Sequence, residues 1–562
     1  ANYLQRMGRA GRKTGNALCL TMVESRPHDL YFFHAPLEMI RGQVLPPGCF
    51  LEAPEMLQRQ LIAFAMDQWA RQENSMQRLQ PEIQFYLGKG RAEFPGKIQT
   101  FYRDQRETLI TQFLELFEPK LSPVVQAEMQ QFAASDEIPR RLEAAVQAVA
   151  EERDRYRKLL DRCKQRLDEL AQVPAAMVTQ EHLEEQQELE GSRRVLGRLI
   201  TEVVRKYPLN VLTDAGVLPN YAFPEPGVSL RATVLYRDEQ GQGRIEPQTH
   251  EYMRPASNAL RELAPHNHFY AEGRKIRINE VSLGSKHQPL LEEWRVCPNC
   301  CFSSRADQPE STAKSCPACK HPAWSDRGQL LKMVRMQQVS ALCDVLADRN
   351  TDASDDREIE SYHTLDLISV GSENYAQQAY QIPSLPFGAE LLRRLTLREV
   401  NFGVKGDGFQ QIQVAGQPVP DRGFTLCFDC GRVLGPREDE IRHAPYCKHR
   451  KGNFKPNSGS IFLYRQITSE AIRLLLPAAT LEVDEQLASF KAALMLGFRR
   501  KFQGNPLHLL IRRQSEPLDG PVRRNFLVIY DAVPGGTGYL SEMASQAGMQ
   551  EILSLSRDAL TS

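Results

Sequence analysis

Cys297-Pro-Asn-Cys300 is followed, with fifteen residues between, by Cys316-Pro-Ala-Cys319. The pattern C-x2-C-x15-C-x2-C matches a tetrahedral four-thiolate zinc site, in which each C-x-x-C turn supplies two ligands. Disulfide pairing is the rival reading. Cys301, beside Cys300, has a poorer spacing to Cys297. A second group is Cys427-Phe-Asp-Cys430, then His443-Ala-Pro-Tyr-Cys447-Lys-His449. It offers three cysteines and a choice of histidine. His443, three residues removed from Cys447, is preferred, and His449, one residue removed, is the alternative. The non-metal reading is three buried thiols with surface histidines. Neither group has the three-ligand-plus-water pattern of catalytic zinc, so both point to structural zinc. Cys19, Cys49, Cys163 and Cys343 sit in apolar or helical contexts and read as packing residues.

Gln5-Arg-Met-Gly8-Arg9-Ala-Gly11-Arg12 sets two arginines among two glycines. Glycine lets the backbone approach a partner closely. The arginine fork binds phosphate in two-point fashion and stays charged. The bland alternative is a basic surface turn. The string resembles motif VI of superfamily 2 helicases, Q-x-x-G-R-x-G-R. The resemblance implies that Gln5, Gly8, Arg9, Gly11 and Arg12 face ATP across a cleft between two RecA-like lobes, with Arg12 as the arginine finger. No G-x-x-x-x-G-K-[ST] phosphate loop and no D-E-x-H acidic box occurs in the sequence. ATP and magnesium are therefore expected to bind through an N-terminal part outside it. A first residue of Ala1, so close to this motif, adds to the expectation of a C-terminal piece of a longer helicase, inactive alone.

The elements that must position these residues read as follows. Asn16–Val23 is a short apolar run expected to be a buried strand. Residues 26–53 read as an irregular connector, and Glu55–Arg71 as a helix. Residues 75–135 read as mostly helical, with turns at Gly88–Gly90 and Pro95–Gly96. Leu142, Val146, Val149, Tyr156, Leu160, Cys163, Leu167 and Leu170 recur at alternating four- and three-residue steps. Leu196, Leu199 and Val203 continue the step, which predicts an antiparallel helical hairpin turning near 171–180. Val228–Tyr236 and Lys275–Val281 read as strands. Beyond Cys447 the pattern predicts helices near 465–476 and 485–500, strands at 506–512 and 525–531, and a last helix from Tyr539.

Several strings after residue 207 resemble one family together. They are Leu218-Pro-Asn-Tyr-Ala-Phe-Pro224, the two cysteine groups, Asp355-Asp-Arg-Glu358 and Asp531-Ala-Val-Pro-Gly-Gly-Thr-Gly-Tyr-Leu540. In this order they resemble the MrfA-like zinc-binding C-terminal region of bacterial superfamily 2 DNA helicases, both repair and anti-phage defence enzymes. Cys301 stands where that family usually has glycine. The resemblance implies a multidomain α+β chain. Residues 1–53 would end the second RecA-like lobe and 54–206 form a helical connector with the hairpin. Residues 207–350 would carry the first zinc ribbon and 351–562 the zinc-binding C-terminal domain. DNA, ATP, the N-terminal helicase part and other defence-system subunits are the implied partners, in the cytoplasm. A non-enzymatic zinc-bearing scaffold is the alternative.

Composition limits these readings. The 562 residues carry 70 Lys+Arg against 70 Asp+Glu, so nucleic acid must be met by local patches, not by overall charge. Arg499–Lys501, Arg512–Arg513, Arg523–Arg524 and Lys448–Lys451 are such local runs. The glycines of Val533–Gly538 allow two readings, a phosphate-holding nest or a tight turn. No apolar run is long enough for a membrane span.

Overall fold

A computed structural model describes residues 18–37, 54–73, 79–117, 121–219, 227–237, 245–271, 273–284, 289–344, 360–370, 378–381, 388–406, 410–434, 443–450, 457–475, 483–502, 506–517, 523–533 and 536–561. The architecture is mixed α+β.

The first half is helical. Its helices are α1 (Pro27–His34), α2 (Pro54–Glu73), α3 (Gly96–Glu115), α4 (Pro123–Ala134), α5 (Glu137–Ala171), α6 (Gln180–Val204) and α7 (Pro208–Asp214). Proline opens α1, α4 and α7 at the position where its missing N–H costs nothing. Leu61, Trp69, Phe94, Tyr102, Phe113, Leu142, Val146 and Leu212 share one apolar core. The 35 residues of α5 make a rod of about 52 Å. Its first half belongs to that core. Its second half pairs with α6 through Leu159, Cys163, Leu170, Leu189 and Leu196. Arg166 grips Glu185 with two hydrogen bonds, 2.8 and 3.1 Å. Thr179 and His182 cap α6 reciprocally. The predicted hairpin is therefore present.

The second half is built on sheets. β1 (Gly227–Arg237), β2 (Ile245–Pro255), β5 (Glu280–Val281) and β9 (Gln338–Asp344) form one, in the order β2-β1-β9-β5. The larger sheet runs β10 (Tyr362–Val370), β12 (Gly388–Val404), β16 (Ser458–Leu475), β8 (Leu330–Arg335), β6 (Leu291–Val296) and β7 (Ser303–Arg305). β11 (Gln378–Gln381) pairs with β12, β15 (Phe424–Cys427) with β16, and β18 (Arg523–Asp531) joins β16 to β17 (Leu509–Pro517). β3 (His268–Ala271) and β4 (Arg274–Arg277) pair with each other, after the short helix α8 (Ala256–Glu262). Residues alternate along β12 between two cores. Val400 and Phe402 lie with Trp294, Met333 and Tyr464. Leu395 and Leu397 lie with Ile368, Ile467 and Tyr530. α9 (Asp484–Lys501), α10 (Tyr539–Met543) and α11 (Gln546–Thr561) close a further core with Ile472, Leu527 and Ile529.

Three expectations are corrected. The helix expected near 465–476 is replaced over its described residues by strand, because β16 runs from Ser458 to Leu475. The strand is buried on both faces along most of its length, which erases the alternation that would have marked it. Residues 18–24 form no strand, and Leu18, Leu20 and Met22 are exposed. An apolar run becomes a strand only beside a partner, and no described strand pairs with it. Within the expected irregular connector, Pro27–His34 is a helix.

Candidate metal centres

The structure brings Cys297, Cys300, Cys316 and Cys319 together, and likewise Cys427, Cys430, His443 and Cys447; within each set the ligand atoms lie within 4.8 Å of one another. Gln5, Gly8, Arg9, Gly11 and Arg12 lie outside the described residues.

The first set is held by two tight turns. Val296 pairs with Ser303, so Cys297–Phe302 is the turn of the β6–β7 hairpin. The amides of Asn299 and Cys300 donate to Cys297 Sγ, both at 3.4 Å. In the second turn Lys320 donates its amide to the Cys316 carbonyl at 2.8 Å and adopts the left-handed backbone, φ +59°. Cys297 Sγ lies 3.6 Å from Cys319 Sγ, and Cys300 Sγ lies 3.6 Å from Cys316 Sγ. Thiolates about 2.3 Å from a tetrahedral zinc stand about 3.8 Å apart, whereas a disulfide requires about 2.05 Å. All four cysteines are free thiols, and the donor set fits zinc.

Two outside groups lock the first turn. β13 (Gln411–Val414) and β14 (Gln417–Pro420) are joined by Ala415 and Gly416, both at positive φ. Their amides donate to the carbonyls of Cys297 and Pro298 at 3.0 and 2.6 Å. Arg523 of β18 donates to Asn299 Oδ1 and to the Asn299 carbonyl, each at 3.0 Å. A Cβ on Gly416 would sit 3.1 Å from the Arg523 guanidinium, so glycine admits this contact. Sequence reasoning missed these positioning groups and read Arg523 only as part of a basic run. Cys301 stays outside the set. Its carbonyl accepts from Ser369 Oγ, burial pushes its thiol up, and its backbone is not left-handed.

The second set begins where β15 ends. Gly431, at φ +74°, donates its amide to the Cys427 carbonyl at 2.8 Å. Cys427 Sγ is 3.9 Å from Cys447 Sγ. His443 Nδ1 is 3.6 Å from Cys447 Sγ and 3.9 Å from Cys430 Sγ. His449 faces elsewhere, with its Nε2 2.6 Å from Asp429 Oδ2. The geometry therefore favours His443 over His449 as fourth ligand. Burial lowers the His443 pKa, which keeps the ring neutral as a ligand must be.

Clustered thiols cannot all ionise unaided. Contacts with Cys297 and Cys316, then burial, push Cys300 far up, while contacts from Cys297 and Cys300 pull Cys316 down. Cys430 is raised by Cys447 and by burial, and Cys447 is lowered by Cys430. A bound divalent cation would remove this conflict by favouring every thiolate. Both sets are closed by four protein ligands, the form of a structural zinc site.

Other predicted features fall differently. The described residues of the 533–538 loop, Val533 and 536–538, are turned inward. Their amides at Val533 and Thr537 donate to the Asp531 carboxylate at 2.8 and 2.7 Å, and Gly538 donates to Glu470 Oε1 at 2.9 Å. Those donors are occupied, so the phosphate nest is not supported. The basic runs are partly used internally. Arg512 pairs with Asp366, Lys501 with Glu551, Lys448 with Asp429, and Arg450 with Glu188. Among the described residues, no helix is long and apolar enough to cross a membrane.

Fold and sites define an α+β protein with two closed, thiolate-rich metal-ligand sets. No protein-family model matches the chain, and no curated protein does. Among solved structures it is similar to the crystal structure of the DUF1998 helicase MrfA bound to DNA. Identity is 8%, the TM-score is 0.25, and the match covers 66% of this chain but only 37% of that one.

Proposed function

We propose that this chain is the C-terminal portion of an ATP-dependent superfamily 2 DNA helicase. Residues 1–53 would complete the second RecA-like lobe, 54–206 form the connector, and 207–350 and 351–562 carry one zinc site each. The observation that carries the reading is one chain holding both the Gln5–Arg12 string and, downstream, two assembled zinc-ligand sets. Arg9 and Arg12 act on the ATP phosphates across the lobe cleft, and magnesium and the phosphate loop come from the N-terminal part. The zinc sites hold the turns of the DNA-engaging body rigid and take no part in chemistry. Repair and anti-phage defence are the two settings proposed.

The test is Arg12→Ala in a protein carrying the upstream portion. DNA-stimulated ATP hydrolysis should fall by roughly a thousandfold or more. Full activity would overturn the role of Arg12.

A non-enzymatic zinc-bearing scaffold is the second reading, and the internal pairing of Arg512, Lys501 and Arg523 favours it. An upstream coding sequence with no phosphate loop would decide for the scaffold.

A further inference from the structure

The second metal-ligand turn does more than close on itself. Residues 443–450 have neither helix nor strand, and backbone bonds within the turn are local ones, Cys447 to Ala444 and Arg450 to Cys447. What ties the turn to the body is the ligand set and the Lys448 and His449 contacts to Asp429. The same turn meets the helical hairpin at two places. Tyr446 packs against the hairpin core of Leu159, Cys163 and Leu189, and it also belongs to the cluster around the second ligand set. Arg450 pairs with Glu188 of α6. Beside the other ligand turn, Arg155 of α5 reaches Glu280 of β5 at 3.4 Å, next to Gly431. A Cβ on Gly431 would stand 3.3 Å from Glu280 and 3.4 Å from Arg155, so this glycine allows the close approach.

We infer that the second zinc site docks the outer half of the α5–α6 hairpin, so that metal occupancy there fixes the position of the hairpin. This rests on reading Cys427, Cys430, His443 and Cys447 as zinc ligands. Removing the metal leaves the turn without its main tie, and Tyr446 and Arg450 then no longer hold a defined place. Lower on α5, Glu152 accepts from Arg231 of β1 at 2.9 Å, so the base of the hairpin stays attached. Metal loss frees the outer half alone. The first set sits on the β6–β7 hairpin and is tied to Arg523 and to Ala415–Gly416, so its loss leaves the helical hairpin in place.

The test uses the full chain with azide-bearing residues at positions 177 and 507, each labelled with a dye for energy transfer. Met177 lies at the hairpin tip and Leu507 on the body, and both side chains are exposed. The parent protein should hold about two zinc and show one narrow transfer distribution. Cys430→Ser should hold about one zinc and lose the narrow distribution. Cys297→Ser should also lose one zinc yet keep it. Tyr446→Ala should keep both zinc ions and broaden the distribution. A Cys430→Ser protein with one zinc and the parent distribution would overturn the inference. So would equal broadening in Cys297→Ser. If Cys430→Ser does not fold, Tyr446→Ala decides alone, and an unchanged distribution there overturns the inference. If the parent lacks the second zinc, the metal reading itself fails, separately from the docking.

Discussion

His449 Nε2 lies 2.6 Å from Asp429 Oδ2, one residue before Cys430, and this contact turns the second histidine of the HAPYCKH string away from the ligand set. Asp429 is in turn held below its ordinary range despite its burial, by His449 and then Lys448. The two histidines thus have different work. His443 presents Nδ1 to the thiols, and His449 braces the turn between the first two cysteines.

Substitution separates these roles. His443→Ala should reduce bound zinc from about two to about one per chain. His449→Ala should keep both ions, but with faster loss from the second site to a chelator, as outer partners of a ligand turn commonly cost 10- to 100-fold in metal affinity. Metal analysis and chelator kinetics on the purified chain read both. About two zinc ions in His443→Ala and about one in His449→Ala would reverse the assignment.

Arg523 should matter to the first site without touching a thiol. Its two bonds to Asn299 and a further one to the Ser515 carbonyl anchor the knuckle to β17 and β18. Arg523→Ala should cost about 1–3 kcal/mol in unfolding free energy. Arg523→Lys should recover little, because a point charge cannot replace the planar fork. Urea titration with zinc present measures both.

The ligand sets were legible because metal chemistry dictates both residue type and spacing, so eight positions could be picked from the chain. The hairpin was legible because a repeat of 3.5 residues survives in the sequence wherever one face is buried. The groups that position the sites left no such trace. Arg523 stands 224 positions from Asn299, and Arg155 stands 125 from Glu280. Nothing near either arginine announces such a partner. β16 was misread for a related reason. Burial takes in Arg465, Ser469, Glu470 and Arg473 beside the apolar residues, so neither period stands out, and only the pairing with β12 and β18 decides it.

Glu470 should impose a pH dependence on stability. It is buried, and burial raises its pKa above the ordinary 4.5, with Asp531 adding to the rise. A carboxyl whose pKa is higher folded than unfolded stabilises most below the unfolded value. That contribution is lost as pH rises through the folded value. Melting temperature should therefore fall as pH climbs from about 4.5 into the raised range. Glu470→Gln should flatten that slope. Gln cannot ionise, although it gives up one of the acceptors that Gly538 and Ser541 use. An unchanged slope in Glu470→Gln would show that other groups set it.

The last prediction concerns the charges buried in the central sheet. Glu399 accepts from Arg465 Nε at 2.8 Å, and the two side chains are 4% and 7% exposed. They are direct neighbours across β12 and β16, so the pair spans the seam between the two longest strands. Arg261 adds a third partner from the rim at 3.2 Å. Removing Glu399 takes a 2.8 Å charged acceptor from Arg465 in the interior, where breaking an ion pair is expensive, and Glu399→Leu should cost about 3–5 kcal/mol. Replacing both members, Glu399→Leu with Arg465→Met, removes both charges and fills the space with apolar volume. The double variant should be more stable than either single one, because a buried pair costs more to break than to replace. A double-mutant cycle from urea unfolding reads the coupling. Additive single effects would mean that groups other than Glu399 compensate Arg465.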